Sequence, residues 1–250
     1  MELTSLTIKD RPKSLVQIAQ DAIRRGIIQK ELKLGQPLKE ASLARPLQIS
    51  NTPVREALSL LKAEGLVVSV PHKGYRVFTL NQEELVAFCE LRFTLEAQAL
   101  RYGIERNPKE LVQKLHGILL KMQKNQDESM REEYLNLDTL FHMSFFKACQ
   151  NDFLLGHYQK INSMIETMRH YISISNEATQ KSLENHEAIV NEIDQGRISK
   201  AIELLEDHIV SWSKRSNIEF SKLNCFKTSQ ELLNSLSPVP MGQFLKKRPE

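Results

Sequence analysis

The stretch from Ile49 to Leu66, ISNTPVREALSLLKAEGL, restricts the fold of the chain more than any other. Val54, Leu58, Leu61 and Leu66 recur at helical spacing with Ala57 beside them, which predicts an amphipathic helix with an apolar back. Ser50 is placed to cap it, because a hydroxyl there can accept from a first-turn amide that has no partner within the helix. Pro53 fits the first turn, where a missing N–H costs little, and Gly65 closes the helix. The other face opens with Asn51, Thr52 and Arg55. Short polar groups and a guanidinium near a helix N-terminus, over an apolar back, are what a helix needs to read a DNA groove.

The flanks complete a unit. Leu38 to Leu47 reads as a short helix, and Gln48 to Ser50 as the turn into the next. Leu66 to Val77 reads as a hairpin, with β-branched runs on either side of Pro71, His72, Lys73 and Gly74, a turn with a basic tip. These elements predict a winged helix-turn-helix. The stretch GQPLKEASLARPLQISNTPVREALSLLKAEGLVVSVPHKGYRV resembles the DNA-binding domain of GntR-superfamily transcription regulators, and its TPVREAL and PHKGYRV segments are similar to the FadR-type subgroup. The likeness spans most of residues 14–79. It implies double-stranded operator DNA as a partner, with Arg45, Ser50, Asn51, Thr52, Arg55, His72, Lys73 and Gly74 as candidate contacts. Asn51 stands where the family usually has Arg, so one bidentate donor for guanine is missing. Gln48 stands where the family has Gly, and Pro46 is unusual late in its helix.

A chain of 250 residues has room for two domains. Hydrophobic content of 41% and charge of 26% are ordinary for a soluble globular chain. No apolar run reaches membrane-spanning length, and the N-terminus carries no apolar signal core. Cys89, Cys149 and Cys225 form no metal or redox spacing and suit a reducing cytoplasm. The net charge of +3 hides an asymmetry. Residues 1–80 hold 13 Lys and Arg against 7 Asp and Glu, residues 81–220 hold 16 against 22, and the last thirty hold 5 against 2. A basic unit beside an acidic one fits a division of labour in which only the first faces phosphate.

Residues 1–12 read as a loose arm, Ser14 to Lys30 as a first helix, and Lys33 to Pro37 as a turn. From Asn81 the pattern changes. Asn81 with Glu84 resembles a capping box, and a long helix follows to about Arg106. Further helical runs extend over roughly 107–125, 128–149, 153–174, 178–195 and 199–221, with no strand pattern after the wing. The expected fold is mainly α: a winged helix-turn-helix over 1–79, an all-helical antiparallel bundle over 80–221, and a mobile tail over 222–250 with one short helix near Gln230.

The bundle carries a second constellation. Asp138 and His142 are four apart and share a helix face with Leu135, Phe145, Phe146 and Cys149. His186 lies in line with Ile189, Val190 and Ile193, and His208 with Ala201, Leu204, Leu205 and Trp212. Four polar groups on apolar stripes are either satisfied core residues or ligands, since an inward carboxylate is expensive unless paired or metal-bound. An Asp and three His suit a divalent transition metal. The segments Leu137 to Asp152 and Glu184 to Ile209 resemble the FCD ligand-binding domain of FadR-type regulators, a likeness covering about Asn81 to Ser221. It implies a metal held by Asp138, His142, His186 and His208, zinc first with nickel or manganese as alternatives, at the base of a pocket for a small carboxylate effector. Arg197 departs from the family, which often has Asp there. Arg92 and Arg169 are candidate cationic contacts for the effector. An intrahelical pair with Glu96 is the competing role for Arg92.

The expectation is a cytoplasmic, homodimeric DNA-binding regulator, a repressor whose operator affinity follows a carboxylate metabolite bound beside the metal. An alternative makes the ion itself the signal. A metal hydrolase is the distant alternative: His186 and Glu187 begin like HExxH, but Val190 stands where the second His belongs.

Overall fold

The computed structural model describes residues 13–172 and 175–215, with side chains described up to Ser211. The arm, the tail and the short helix expected near Gln230 lie outside these residues. In order the elements are α1 (Leu15–Ile28), β1 (Pro37–Leu38), α2 (Glu40–Leu47), α3 (Asn51–Ala63), β2 (Val67–Val70), β3 (Gly74–Val77), α4 (Gln82–Arg106), α5 (Pro108–Lys124), α6 (Arg131–Cys149), α7 (Asp152–Ile172), α8 (Asn176–Asp194) and α9 (Ile198–Arg215). A short 3-10 turn, Glu128–Met130, leads into α6.

The first unit is a winged helix-turn-helix. Ala19, Ile23 and Ile27 of α1 and Val54, Ala57, Leu58 and Leu61 of α3 are buried in a common core. The wing is β2 and β3, antiparallel, with Val67 opposite Val77 and Val70 opposite Gly74. Sequence reading missed β1. Pro37, the last residue of the expected turn, and Leu38, read as the first of the short helix that in fact begins at Glu40, pair with Arg76 and Tyr75, so the sheet runs β1-β3-β2. Two residues are too few for a period-2 pattern, and the strand exists because β3 offers it an edge.

Two caps depart from expectation for local reasons. Ser50 is the N-cap of α3 with extended backbone, but its hydroxyl makes no capping bond. The third helical residue is Pro53, so the amide that a capping hydroxyl most often bonds does not exist. Gln48 ends α2 at φ 54, which explains the glycine usual there. A glutamine in that left-handed region carries strain of order 1–2 kcal/mol.

The remaining helices form the bundle, with α4 packed on α6 and α9, α5 on α6 and α8, and α8 on α9. The Asn81–Glu84 capping box is present. None of the described helices is long and apolar enough to cross a membrane.

The two units touch through α1 and α7. Lys30 Nζ donates to the His170 carbonyl at 2.7 Å, and the Leu34 N–H donates to the Tyr171 hydroxyl at 3.3 Å. Beyond α3, Gly65 turns at φ 78, and a Cβ there would lie 2.7 Å from Met164 Sδ of α7. At the same end Glu64 accepts from Gln20 at 2.6 Å and from Arg24 at 3.0 and 2.7 Å, both on α1.

Gly65→Ala therefore meets both a backbone penalty and a contact. The expected loss is roughly 1–2 kcal/mol of unfolding free energy, read as a lower denaturant midpoint at unchanged slope. Adding Met164→Ala should recover only the contact's share.

Candidate functional site

Helices α6, α8 and α9 each turn an apolar face inward, and each carries a ligand-type side chain on that face. Asp138 and His142 come from α6, His186 from α8 and His208 from α9, and all four are buried. One ligand atom from each lies within 4.8 Å of the others. The imidazole centroids are 5.2 Å apart for His142 and His186, 5.3 Å for His142 and His208, and 4.5 Å for His186 and His208. His186 Nε2 is 3.3 Å from His142 Nε2 and 3.5 Å from Asp138 Oδ1. Phe141 packs its ring against His186 at 4.3 Å, closing one side.

The surroundings keep these imidazoles neutral. Burial pushes His186 down to about 4, and burial reinforced by Arg92 pushes His142 well below the ordinary histidine value. His208 is pushed well below it by burial and by the two other histidines. Burial alone would raise the Asp138 carboxyl, but Arg169, then His186, His142 and Arg92, outweigh it and hold it low. An ionised carboxylate beside neutral imidazoles is the donor set that a divalent transition ion binds. His186 Nδ1 and His208 Nε2 are buried and make no hydrogen bond among the described residues. Bare buried nitrogens of this kind are expensive in a core and suited to a ligand site, so the residues fit a metal.

A layer behind the cluster orients it. Glu96 of α4 is held from three sides. Its Oε2 lies 2.6 Å from His142 Nδ1, while its Oε1 accepts from Arg92 Nε at 2.6 Å and from the Tyr158 hydroxyl at 2.9 Å. With Nδ1–H donating to Glu96, His142 turns the Nε2 lone pair toward the cluster. Arg169 Nε pairs with Asp138 Oδ2, and Arg169 Nη1 donates to Thr139 Oγ1 at 2.7 Å. Ser182 approaches Asp138 Oδ1 at 3.4 Å, and Asn185 lies 3.5 Å from His208 Nδ1.

Arg92 thus sits in the intrahelical pair weighed against its effector role, fully buried, and reaches the cluster through Glu96. Arg169 is in direct contact with Asp138. Glu96 and Tyr158 were missed as members of the site, although α4 carried a signal. Leu85, Cys89, Arg92, Glu96 and Gly103 all fall on its buried face, which places both charges inward.

The candidate DNA contacts Arg45, Ser50, Asn51, Thr52, Arg55, His72, Lys73 and Gly74 are all exposed. Ser50 is the N-cap of α3, Asn51, Thr52 and Arg55 lie in its first turns, Arg45 is in the last turn of α2, and His72, Lys73 and Gly74 are around the wing tip. Arg55 is held by Glu40 of α2 through contacts of 2.9, 3.1 and 2.8 Å.

A winged helix-turn-helix built onto a helical domain with a buried His/Asp cluster defines a transcriptional regulator. Residues 15–77 match the bacterial regulatory proteins of the gntR family, and residues 87–211 match the FCD domain. The chain belongs to the GntR family, with the GntR-plus-FCD arrangement of its FadR-type subgroup. The probable D-xylose utilization operon transcriptional repressor of Paenarthrobacter nicotinovorans is 30% identical over 193 residues, 77% of this chain and 84% of that one. The transcriptional repressor GlaR of Escherichia coli is 25% identical over 198 residues, 76% and 90% of the two chains. Among solved structures, E. coli McbR/YncC matches with a TM-score of 0.67 at 20% identity, over 85% of this chain and all of the other, a likeness of fold. The Paenarthrobacter and GlaR relatives are both named as transcriptional repressors.

Removing Glu96 would leave Arg92 as a buried cation without its carboxylate. Glu96→Ala is expected to cost roughly 3–5 kcal/mol of stability, measured by denaturant unfolding in the presence of chelator so that metal linkage does not contribute.

Proposed function

We propose that this chain is a metal-dependent repressor whose affinity for operator DNA is set by a small carboxylate bound beside the buried cluster. The observation that carries the reading is the convergence of Asp138, His142, His186 and His208 within 4.8 Å, with the imidazoles kept neutral. Asp138, His142, His186 and His208 would hold one divalent ion, zinc before nickel or manganese. When bound, that ion supplies a Lewis-acidic position for a carboxylate and cross-links α6, α8 and α9. Arg92 and Arg169 supply positive charge around it, and Glu96 fixes the His142 tautomer.

In this reading residues 1–79 read DNA and residues 80–221 sense. Asn51 and Thr52 face base edges. Arg45, Arg55, His72 and Lys73 face phosphate, with Ser50 and the Gly74 backbone close to the strand. Glu40 positions Arg55. A homodimer follows from the need for two half-sites, because one recognition helix reads only a few base pairs. Repression, the role printed for the Paenarthrobacter and E. coli relatives, and a cytoplasmic location complete the reading.

Arg55→Ala should weaken specific and nonspecific duplex alike and lower the salt slope by about one, whereas Asn51→Ala should alter base preference. Fluorescence anisotropy over a salt series reads both, and an unchanged slope for Arg55→Ala would remove the docking model.

Metal should stabilise the bundle by linkage, since the four ligands come from three helices, α6, α8 and α9. Wild type should carry about one ion per chain by elemental analysis and should melt lower with chelator. His208→Ala should melt low with or without it, while basal DNA binding survives. A wild-type melting temperature indifferent to chelator means that the four residues are core polar groups.

A further inference from the structure

A cavity of about 250 Å³ lies between the two units, walled by α1, α6 and α7. Arg25 of α1 and Gln29 just beyond it line the cavity on one side, with Asn136 and Thr139 from α6 and Glu166 and Arg169 from α7. We propose that this cavity is a second small-molecule site, for a monocarboxylate that also carries hydroxyl or amino donors, and that Arg169 links it to the histidine cluster. The proposal rests on the reading of the chain as an effector-responsive metal regulator and adds a site outside the bundle interior.

The lining selects the ligand class. Two guanidinium groups, one of them 2% exposed, supply strong donors for a carboxylate. Glu132, at 59% side-chain exposure, and Glu166 also line the space, so a second negative charge on the ligand would be repelled. Hydroxyl or amino groups instead give those carboxylates, and the Gln29 and Asn136 amides, partners to accept or exchange hydrogen bonds. The volume takes several non-hydrogen atoms, since a water in the liquid occupies about 30 Å³.

Arg169 belongs to both places. Its Nε pairs with Asp138, its Nη1 donates to Thr139, and its side chain forms part of the cavity wall. A carboxylate in the cavity draws the guanidinium toward itself and leaves Asp138 freer to coordinate a metal. Coordination by Asp138, in turn, leaves Arg169 freer for the carboxylate. The two events share one guanidinium and favour each other, and by linkage each raises the other's affinity by the same factor. The cavity also touches the DNA-reading unit. Its α1 wall continues into Gln20 and Arg24, which grip Glu64 at the end of the recognition helix. Occupancy therefore bears directly on how α3 is carried.

The test is calorimetric titration of the full chain with glycolate, glycerate and alanine, with succinate and propionamide as controls. At least one donor-bearing monocarboxylate should bind saturably, and neither control should. Gln29→Trp, at an exposed position outside the metal and DNA-reading residues, should fill the space and weaken that binding roughly tenfold or more, with zinc affinity unchanged in the absence of carboxylate. In wild type the bound carboxylate should raise zinc affinity by the same factor by which zinc raises its own, and Arg169→Gln should abolish this reciprocity. Binding of none of the three overturns the proposal. Binding that Gln29→Trp leaves intact but Asp138→Asn removes also overturns it, and leaves standing the earlier reading of an effector seated at the cluster.

Discussion

The bundle depends on the rule that a charge taken out of water must be met by another. Arg92, Glu96, Asp138 and Arg169 lie together in the interior, none more than 4% exposed. Ions in such a place cost several kcal/mol each unless their partners are close and correctly oriented. The chain meets this with two short circuits. Arg92, Tyr158 and His142 close around Glu96, and Arg169, Ser182 and His186 close around Asp138. Replacing these groups by apolar side chains would leave a plausible hydrophobic core. Their presence gives α4, α6, α7 and α8 one mutual arrangement and leaves α9 to complete it with His208.

The same circuits set the chemistry. Glu96 fixes which nitrogen of His142 carries its proton, so the other nitrogen faces the cluster as a lone pair. Burial, assisted by the nearby guanidinium groups, keeps all three imidazoles neutral. The positive charge that suppresses imidazole protonation also competes with any cation for Asp138. In the proposed reading, a metal would bind at this site against its own arginine. That opposition would make its occupancy adjustable by a third species that engages the arginine, as the proposed second site requires.

The first unit was legible because each element carries its own punctuation: the stripe from Val54 to Leu66, the Gly65 turn and the β-branched wing all speak locally. The capping box at Asn81 and Glu84 was local in the same sense. What escaped the sequence depended on partners remote in the chain. β1 exists through the edge of β3. The link from Arg169 to Asp138 joins α7 to α6 with no fixed spacing to announce it. Ser50 is a different kind of miss: counting from the cap places Pro53 where a bonding amide is needed, so the absent cap was readable from position alone. The four cluster residues could be picked out from their apolar stripes, but their convergence on a single point required the tertiary arrangement of α6, α8 and α9.

Helix α1 is held on two sides by different parts of the chain. Gln20 and Arg24 bind the end of the recognition helix, while Lys30 and Leu34, just beyond α1, reach the backbone and hydroxyl of α7 residues. This has a consequence for modular engineering. A chimera that joins residues 13–79 to the sensing half of a relative would need that partner to supply an accepting carbonyl under Lys30, a hydroxyl beside Leu34 and a side chain that clears Gly65. A graft that ignores this seam would produce two folded halves without the contacts that join them here.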